Sequence, residues 1–341
     1  PCLIFQPLCA HYQPLQAASF GSPMRRDDRP YDVMGMLWSA KLTTIQAPMV
    51  RYSRYPFRKL CANWGTDISY THMILAESFS QSQQARDAEF QSEEHEGPLI
   101  VQFTAPEAVC VGKAAVLVKP YCDAIDLNCG CPQKWAIKEG IGGALMSKPE
   151  LVSDMVKQII NQAGTDMLRT VKIRLRKTDR ESVEFARQME AAGANWITVH
   201  GRTLSMRSSA PVLHESVKVV RESLSIPVVH NGDVYTLEDA RRFGELTGVH
   251  GVMAARGLLF NPALFAGHHQ PPPECIAEYV MMCMRYGTQF RCFHHHISCM
   301  LKGLVPKAAR MEFQATVSVA GVLEFLELMG IVPQQVGDRR L

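Results

Sequence analysis

The sequence predicts an α/β fold, a closed (β/α)8 barrel of the TIM type, followed by a C-terminal helical domain. Three observations carry this. Eight short β-rich runs recur between residues 42 and 257, amphipathic helical stretches separate most of them, and beyond residue 269 the helical patterning continues without strands. In a chain of 341 residues, 47% hydrophobic and 20% charged residues supply ample material for such a core. A net charge of +3 points to no polyelectrolyte partner by its total, although a balanced sum can hide a basic face.

The β-rich runs are LTTIQAPMV (42–50), DISYTHMI (67–74), PLIVQFTA (98–105), AIDLNCG (124–130), RTVKIRL (169–175), WITVHG (196–201), IPVVHNGD (226–233) and GVMAARG (251–257). Between them, KPELVSDMVKQIINQAG places Leu151, Met155, Val156, Ile159 and Ile160 on one helical face and stops at Gly164. TDRESVEFARQMEAAG opens on a Thr or Asp cap and closes on Gly193. TLEDARRFGELTG repeats the design, with Thr236 as cap and Glu238 and Asp239 favouring the helix N-terminus. An open doubly wound sheet would carry a glycine fingerprint after its first strand, and this chain has none there.

The expected organisation is a disordered segment over 1–36, a barrel over 37–269 and a helical domain over 270–341, entered through the breaker QPPP at 270–273. The chain starts at Pro1 rather than Met, so the natural start is expected upstream; the first residues, broken by Pro7 and Pro14, do not read as a signal peptide. No run of 18 apolar residues occurs, so no membrane association is expected. Eleven scattered cysteines without a secretory signal read as reduced intracellular thiols, with Cys61, Cys110 and Cys122 as core residues.

A barrel enzyme builds its site at the C-terminal ends of its strands. There the runs carry Pro48, Met49 and Val50; Gln102; Asn128; Lys172 and Arg174; His200 and Arg202; Asn231, Gly232 and Asp233; and Ala255 and Arg256. An ammonium inside a barrel must be paired or bound to an anionic ligand, so Lys172 near Arg174 and His200 marks either an interior ion pair or a ligand site. The loops after strands seven and eight often hold phosphate, and NGD and ARG supply small residues for backbone approach plus the charge of Arg256.

The stretch LNCGCPQKWAIKEGIGGALM (127–146) sets two cysteines about one glycine. Zinc sites want two ligand pairs at metal spacing, and no second pair follows Cys129 and Cys131, so no metal is expected. A disulfide across one glycine would be strained. The step from Cys131 to Pro132 instead fixes a turn past the strand, presenting a thiol that can give or take a proton.

This stretch resembles the signature of the tRNA-dihydrouridine synthases: N-x-G-C-P, a basic residue and a glycine-rich turn. APMVRYSRYPFR, VQFTA, VKIRL, ITVHGRT, IPVVHNGDV and GVMAARGLLFNP are similar to the same family in the same order, over roughly residues 42–265, most of all to the eukaryotic branch acting at D-loop positions 20a and 20b. The resemblance implies a flavin enzyme that reduces the C5–C6 bond of a uridine in tRNA, with NADPH (or NADH) reducing bound FMN and a cysteine giving the proton to C5. The catalytic cysteine would be Cys131. Pro48, Met49 and Val50 would edge the flavin, with Gln102, Lys172 and His200 about its ring, while Asn231, Gly232, Asp233, Ala255 and Arg256 would take its phosphate. Asn128, Arg174 and Arg202 would face the substrate. The expected partner is tRNA, and the enzyme is expected to be monomeric and cytoplasmic, with a nuclear location left open.

Some residues depart from the family pattern. His230 stands where a small residue is common, Ala254 and Ala255 replace another pair, and LSMRSSAPVLHES (204–216) matches loosely and is a candidate RNA contact. His294 to His296 cannot all face one ion from a helix, so this run reads first as the surface of a partly exposed helix, and second as an RNA face with Arg285, Arg291 and Lys302. Two rival readings remain at this point: an FMN barrel acting on a free small pyrimidine, and a catalytically silent RNA-binding module.

Overall fold

The structure, a computed structural model, describes residues 31–93 and 96–331. Its sheet contains β1 (Thr43–Gln46), β2 (Ile68–Tyr70), β3 (Ile74–Leu75), β4 (Leu99–Thr104), β5 (Ala124–Cys129), β6 (Leu168–Leu175), β7 (Trp196–Thr203), β8 (Val228–Asn231) and β9 (Gly251–Ala254). All pairings are parallel, and the sheet closes because β1 pairs with β9 while β2 pairs with β4. Each expected run therefore holds a strand. The run 67–74 holds two, because Thr71 to Met73 leave the ladder and β2 and β3 together fill one barrel position against β4. The result is an eight-position (β/α)8 barrel.

Strand alternation sorts side chains between two environments. Leu99, Val101 and Phe103 on β4, Ile125, Leu127 and Cys129 on β5, and Val171, Ile173 and Leu175 on β6 join the outer core with the helices. Ile45, Tyr70, Ile100, Ala124, Trp196 and Met253 instead form an inner cluster with Val33 and Leu37 of the helix Val33–Trp38. That helix plugs the floor of the barrel, and Trp196 Nε1 donates to the Tyr70 hydroxyl at 3.2 Å inside it. Apolar burial drives both layers. Of the segment expected to be disordered, residues 1–30 lie outside the described residues, whereas Val33–Trp38 is a capped helix with Asp32 accepting from Gly35 N–H.

The helices end as their sequences imply. Pro149–Ala163 stops at Gly164, whose φ of 97° suits glycine. Asp179–Ala192 and Leu237–Thr247 open with capping boxes, Thr178 with Glu181 and Thr236 with Asp239.

Beyond the barrel run four helices, Pro273–Tyr286, Phe290–Met300, Lys307–Gln314 and Val319–Leu328. They share one core with the barrel: Phe57, Leu60 and Cys61 pack in the same cluster as Cys275, Ile276, Tyr279 and Phe293. His296 is central to this seam. It is fully buried, its Nε2 lies 3.1 Å from the Tyr52 carbonyl, and its ring stands 4.4 Å from Phe57 and 5.1 Å from Tyr279. His294 and His295 remain partly exposed, stacked on Phe313 and Tyr52, so only His296 of the run departs from the expected partly exposed helix. Burial in an apolar seam overrides the polarity of the residue type, because the ring fills volume and one nitrogen is hydrogen-bonded. Among the described residues no group of three His, Cys, Asp or Glu is placed to hold a metal, and no helix is long and apolar enough to cross a membrane.

The shared core makes a specific demand. Phe57→Ala should lower stability by about 3–5 kcal/mol, in one cooperative denaturant transition read by tryptophan fluorescence and by far-ultraviolet circular dichroism. Two separated transitions would show that the helices fold independently of the barrel.

Candidate active site

The inward positions near the C-terminal strand ends are polar. Gln102 is the hub of their first chain of bonds: Asn128 Nδ2 donates to its Oε1 at 2.8 Å, and its own Nε2 donates to Asp126 Oδ2 at 2.6 Å. On the facing strands Lys172 Nζ donates to Asn231 Oδ1 at 2.9 Å, and Asn231 Nδ2 donates to the Met253 carbonyl at 2.9 Å. Asp126 is fully buried, and Lys172 is half-buried at the cavity floor. Burial pushes the Asp126 carboxyl up and the Lys172 ammonium down, and their mutual attraction opposes both shifts. Asp126 and Lys172 thus interact through charge without a direct salt bridge, and Lys172 also lines the cavity described below. His200 is held neutral by burial first and then by Lys172, Arg174 and Arg202.

The cysteine loop is fixed from three sides. Asn128 Oδ1 accepts from the N–H groups of Gly130 at 3.1 Å and Cys131 at 2.9 Å. Arg174 Nε donates to the Gly130 carbonyl at 2.8 Å. From the glycine-rich turn, Gly143 N–H donates to the Cys131 carbonyl at 2.9 Å and Gly142 N–H to Thr104 Oγ1 at 3.1 Å. The turn needs its glycines because it presses on Cys131: a Cβ on Gly142, at φ 58°, would lie 2.8 Å from the Cys131 Cβ, and one on Gly143 would lie 2.8 Å from its carbonyl oxygen.

Cys131 is 8% exposed, packed with Met73, Ala136 and Ile141 at the mouth. Burial raises its thiol pKa, more than the hydrogen bond from Gln133 and the charges of Arg174 and Lys172 lower it, so the thiol is protonated at neutral pH. Cys129 points into the outer core and is fully buried, as expected of a packing residue.

A cavity of about 400 Å³ opens over this floor and contains Pro48, Met49, Val50, Gln102, Asn128, Cys131, Lys172, Arg174, His200, Asn231, Ala255 and Arg256. A recess of about 50 Å³ continues from it past His200 and Asn231, lined by Arg202, Gly232 and Asp233. All the site residues anticipated from sequence thus converge on the cavity or its recess, but Arg202 lies elsewhere than expected, and Asp233 and Asn128 are engaged by protein partners. Arg202 belongs to the recess, where it is buried, pairs with Asp233 and donates to the Ala210 carbonyl at 2.6 Å, so it does not face a substrate at Cys131. The Asp233 carboxylate holds Arg202 and, at 2.6 Å, Arg256. It orients the two guanidiniums, since a carboxylate would repel a phosphate. Asn128 is engaged within the protein as the brace of the cysteine loop.

Other residues were missed. Asp126 stands two residues before Asn128 in a strand, so alternation alone places it on the inner face. Ala47, Tyr52, Met73, Gln133 and Leu259 also line the cavity, and no spacing in the sequence singles them out. Of the departures from the family pattern, Ala255 lines the cavity, whereas His230 and Ala254 do not. His230 faces the helical layer, stacked on His214 at 5.1 Å, and Ala254 accepts a ladder bond from Ala47. Within the loosely matched segment 204–216, Val212 packs against Gly201 and Gly232, and so supports the recess from behind.

A larger cleft of about 900 Å³ lies between the barrel and the C-terminal helices, lined among others by Arg51, Arg54, Tyr286, Arg291, His294 and His295. Of the three cations expected to meet RNA, Arg291 lines this cleft, whereas Arg285 lies over the Tyr286 ring and Lys302 over the Phe260 ring.

Residues 45–319, which include every strand from β2 on and the cysteine loop, match the family described as Dihydrouridine synthase (Dus). The chain belongs to the dihydrouridine synthase family. It is 43% identical over 300 residues to the human tRNA-dihydrouridine(20a/20b) synthase [NAD(P)+]-like protein, covering 88% of this chain and 94% of that one. It is 42% identical to the tRNA-dihydrouridine(20a/20b) synthase of Schizosaccharomyces pombe over 83% and 86% of the two chains. Among solved structures, a 2-naphthoyl-CoA reductase complex shares the fold with a TM-score of 0.52 at 11% identity, over 80% of this chain and 56% of that one.

The tight approach of the glycine turn to Cys131 is testable without any reaction. Gly143→Ala should displace the loop and raise the rate of Cys131 alkylation by iodoacetamide at least several-fold, followed by mass spectrometry. An unchanged rate would show that the turn does not hold the thiol.

Proposed function

We propose that the chain reduces the C5–C6 bond of uridine in the D loop of tRNA, at positions 20a and 20b, with FMN as hydride carrier, NADPH (or NADH) as reductant and Cys131 as proton donor. The observation that carries the reading is the protonated Cys131 thiol at the mouth of a cavity otherwise lined by flavin-compatible polar groups. The position is the one named for the human and yeast relatives. A cleft of about 900 Å³ beside the mouth, carrying Arg51, Arg54 and Arg291, supports an RNA substrate over a free pyrimidine.

The donor set fits FMN. A cation at Lys172, the neutral imidazole of His200 and the amide of Gln102 suit the polar edge of an isoalloxazine, with Pro48, Met49 and Val50 alongside. Arg202, Arg256 and the backbone of the Gly232–Asp233 turn suit a terminal phosphate, and a recess of only about 50 Å³ favours a mononucleotide over a dinucleotide. When bound, the flavin takes a hydride from NADPH and supplies one to C6 of the base.

The protein's part is electrostatic and protonic. Lys172, steadied by Asp126 and Asn231, places positive charge where negative charge gathers on a reduced ring. Cys131 gives its proton to C5, and the raised thiol pKa keeps that proton in place until it is needed. Arg174 lines the same cavity with donors left over from its bonds to Gly130 and Thr203. Because the cavity lies below the surface, the target base must turn out of the RNA stack to reach it.

Two outcomes are expected. Cys131→Ala should retain flavin, its reduction by NADPH and tRNA binding, yet slow single-turnover dihydrouridine formation about 10²–10⁴-fold, whereas Cys129→Ala costs little activity. The Cys131 limb of the wild-type pH profile should lie above the usual thiol range, because a raised pKa extends the protonated form upward, and a loss setting in near pH 8 belongs to Lys172, whose ammonium is pushed down to about 8 by burial; equal loss in both cysteine variants would show that the wrong sulfur is assigned. Separately, denatured protein should release FMN, and Arg256→Ala should weaken its binding; release of FAD would overturn the assignment of the recess.

A further inference from the structure

The cavity around Cys131 does not end at the barrel mouth. A second cavity of about 570 Å³ adjoins it, and Val50, Tyr52, Met73 and Gln133 line both. Its volume falls within the ~300–1,000 Å³ typical of small-molecule sites. It lies where Thr71 to Met73 leave the barrel ladder, and it shares Arg51, Tyr52, Arg54 and Glu89 with the cleft against the C-terminal helices.

Its lining combines three chemistries. Trp135 and Leu75 are large apolar side chains left 43% and 40% exposed, with buried Phe79 beside them. Trp135 belongs to the short helix Lys134–Lys138 that directly follows the cysteine loop, so ring and thiol are set by the same backbone. Glu89 brings a carboxylate held by His72 Nε2 at 2.5 Å and by Arg54 at 3.1 Å, and these neighbours keep it ionised and accepting. Arg51, in a left-handed conformation at φ 71°, and Arg54 add positive charge at the edge shared with the cleft.

A planar ring with N–H donors on its edge and a phosphate on its sugar matches this set: stacking on an indole, an acceptor for the edge, cations for the backbone. We infer that this cavity takes the unpaired nucleotide adjoining the target uridine in the RNA chain, its base against Trp135 and its donor edge toward Glu89. The inference rests on the function proposed above. A polynucleotide is continuous, so placing one base at Cys131 brings a neighbour to the adjoining cavity, and the protein thereby reads the sequence context of the reduced uridine.

The test uses the full chain with its flavin and a tRNA transcript bearing the fluorescent base 2-aminopurine on either side of the target uridine. Binding should change the fluorescence at one of the two positions. Trp135→Ala should remove that change and weaken binding roughly 5- to 150-fold, the span of one base–aromatic stack. Trp135→Phe should restore most of both, and each variant should keep wild-type flavin content and melting temperature. An abasic residue at the responsive position should weaken the wild type by the same factor and Trp135→Ala no further. Unchanged affinity and fluorescence in Trp135→Ala, or losses that add, would overturn the subsite. A wild type that shows the fluorescence response yet forms no dihydrouridine in product nucleosides would support the subsite and overturn the proposed reaction.

Discussion

One side-chain oxygen sets the geometry of this site. Oδ1 of Asn128 accepts from the N–H groups of both Gly130 and Cys131, turning the chain off the end of its strand at a fixed angle. Because Asn128 also donates to Gln102, the turn is tied to the interior of the barrel rather than to a surface loop. Rigid strands thereby position a residue that is not itself on a strand. Arg174 and the glycine-rich turn complete the frame from the opposite sides, and each bond is to backbone, so the arrangement constrains where the thiol stands without engaging the thiol itself.

Beneath that frame lies the electrostatic layer. A carboxylate and an ammonium enclosed in one barrel are costly alone, and they remain because each lowers the cost of the other. Gln102 bonds one oxygen of Asp126 and Asn231 bonds Lys172, so polar side chains extend from the cysteine loop at one end to the recess at the other. A single polar sheet thus runs under the whole cavity. Below it the interior turns apolar, within one step of alternation on β5, from Asp126 to Ala124, and one step later on β7, where Thr198 stands between His200 and Trp196.

Much of this was legible in the sequence, for a physical reason. Period-two patterning and capping residues are local, and so the strands, the helix ends at Gly164 and Gly193 and the convergence of Lys172, His200 and Asn231 could be read residue by residue. What escaped depends on contacts between distant segments. His296 is a core residue only because Phe57 and Tyr279 meet there. Arg202 serves the recess because Asp233 and Ala210 draw it away from the thiol. The helix Val33–Trp38 has too few residues to announce itself by periodicity, and only the empty end of a barrel explains why Val33 and Leu37 are buried. Asp126 differs from these, since strand alternation alone, counted back two residues from Asn128, places it on the inner face.

That floor helix has a consequence for the order of events. With Leu37, Trp196 and Tyr70 filling the N-terminal end, whatever reaches Cys131 arrives from the other side. On the proposed function, a dinucleotide and a macromolecule then compete for one doorway. Each must vacate it before the other can enter, so the two half-reactions alternate, and the kinetic pattern of parallel lines in double-reciprocal plots becomes a property of the architecture rather than of the chemistry.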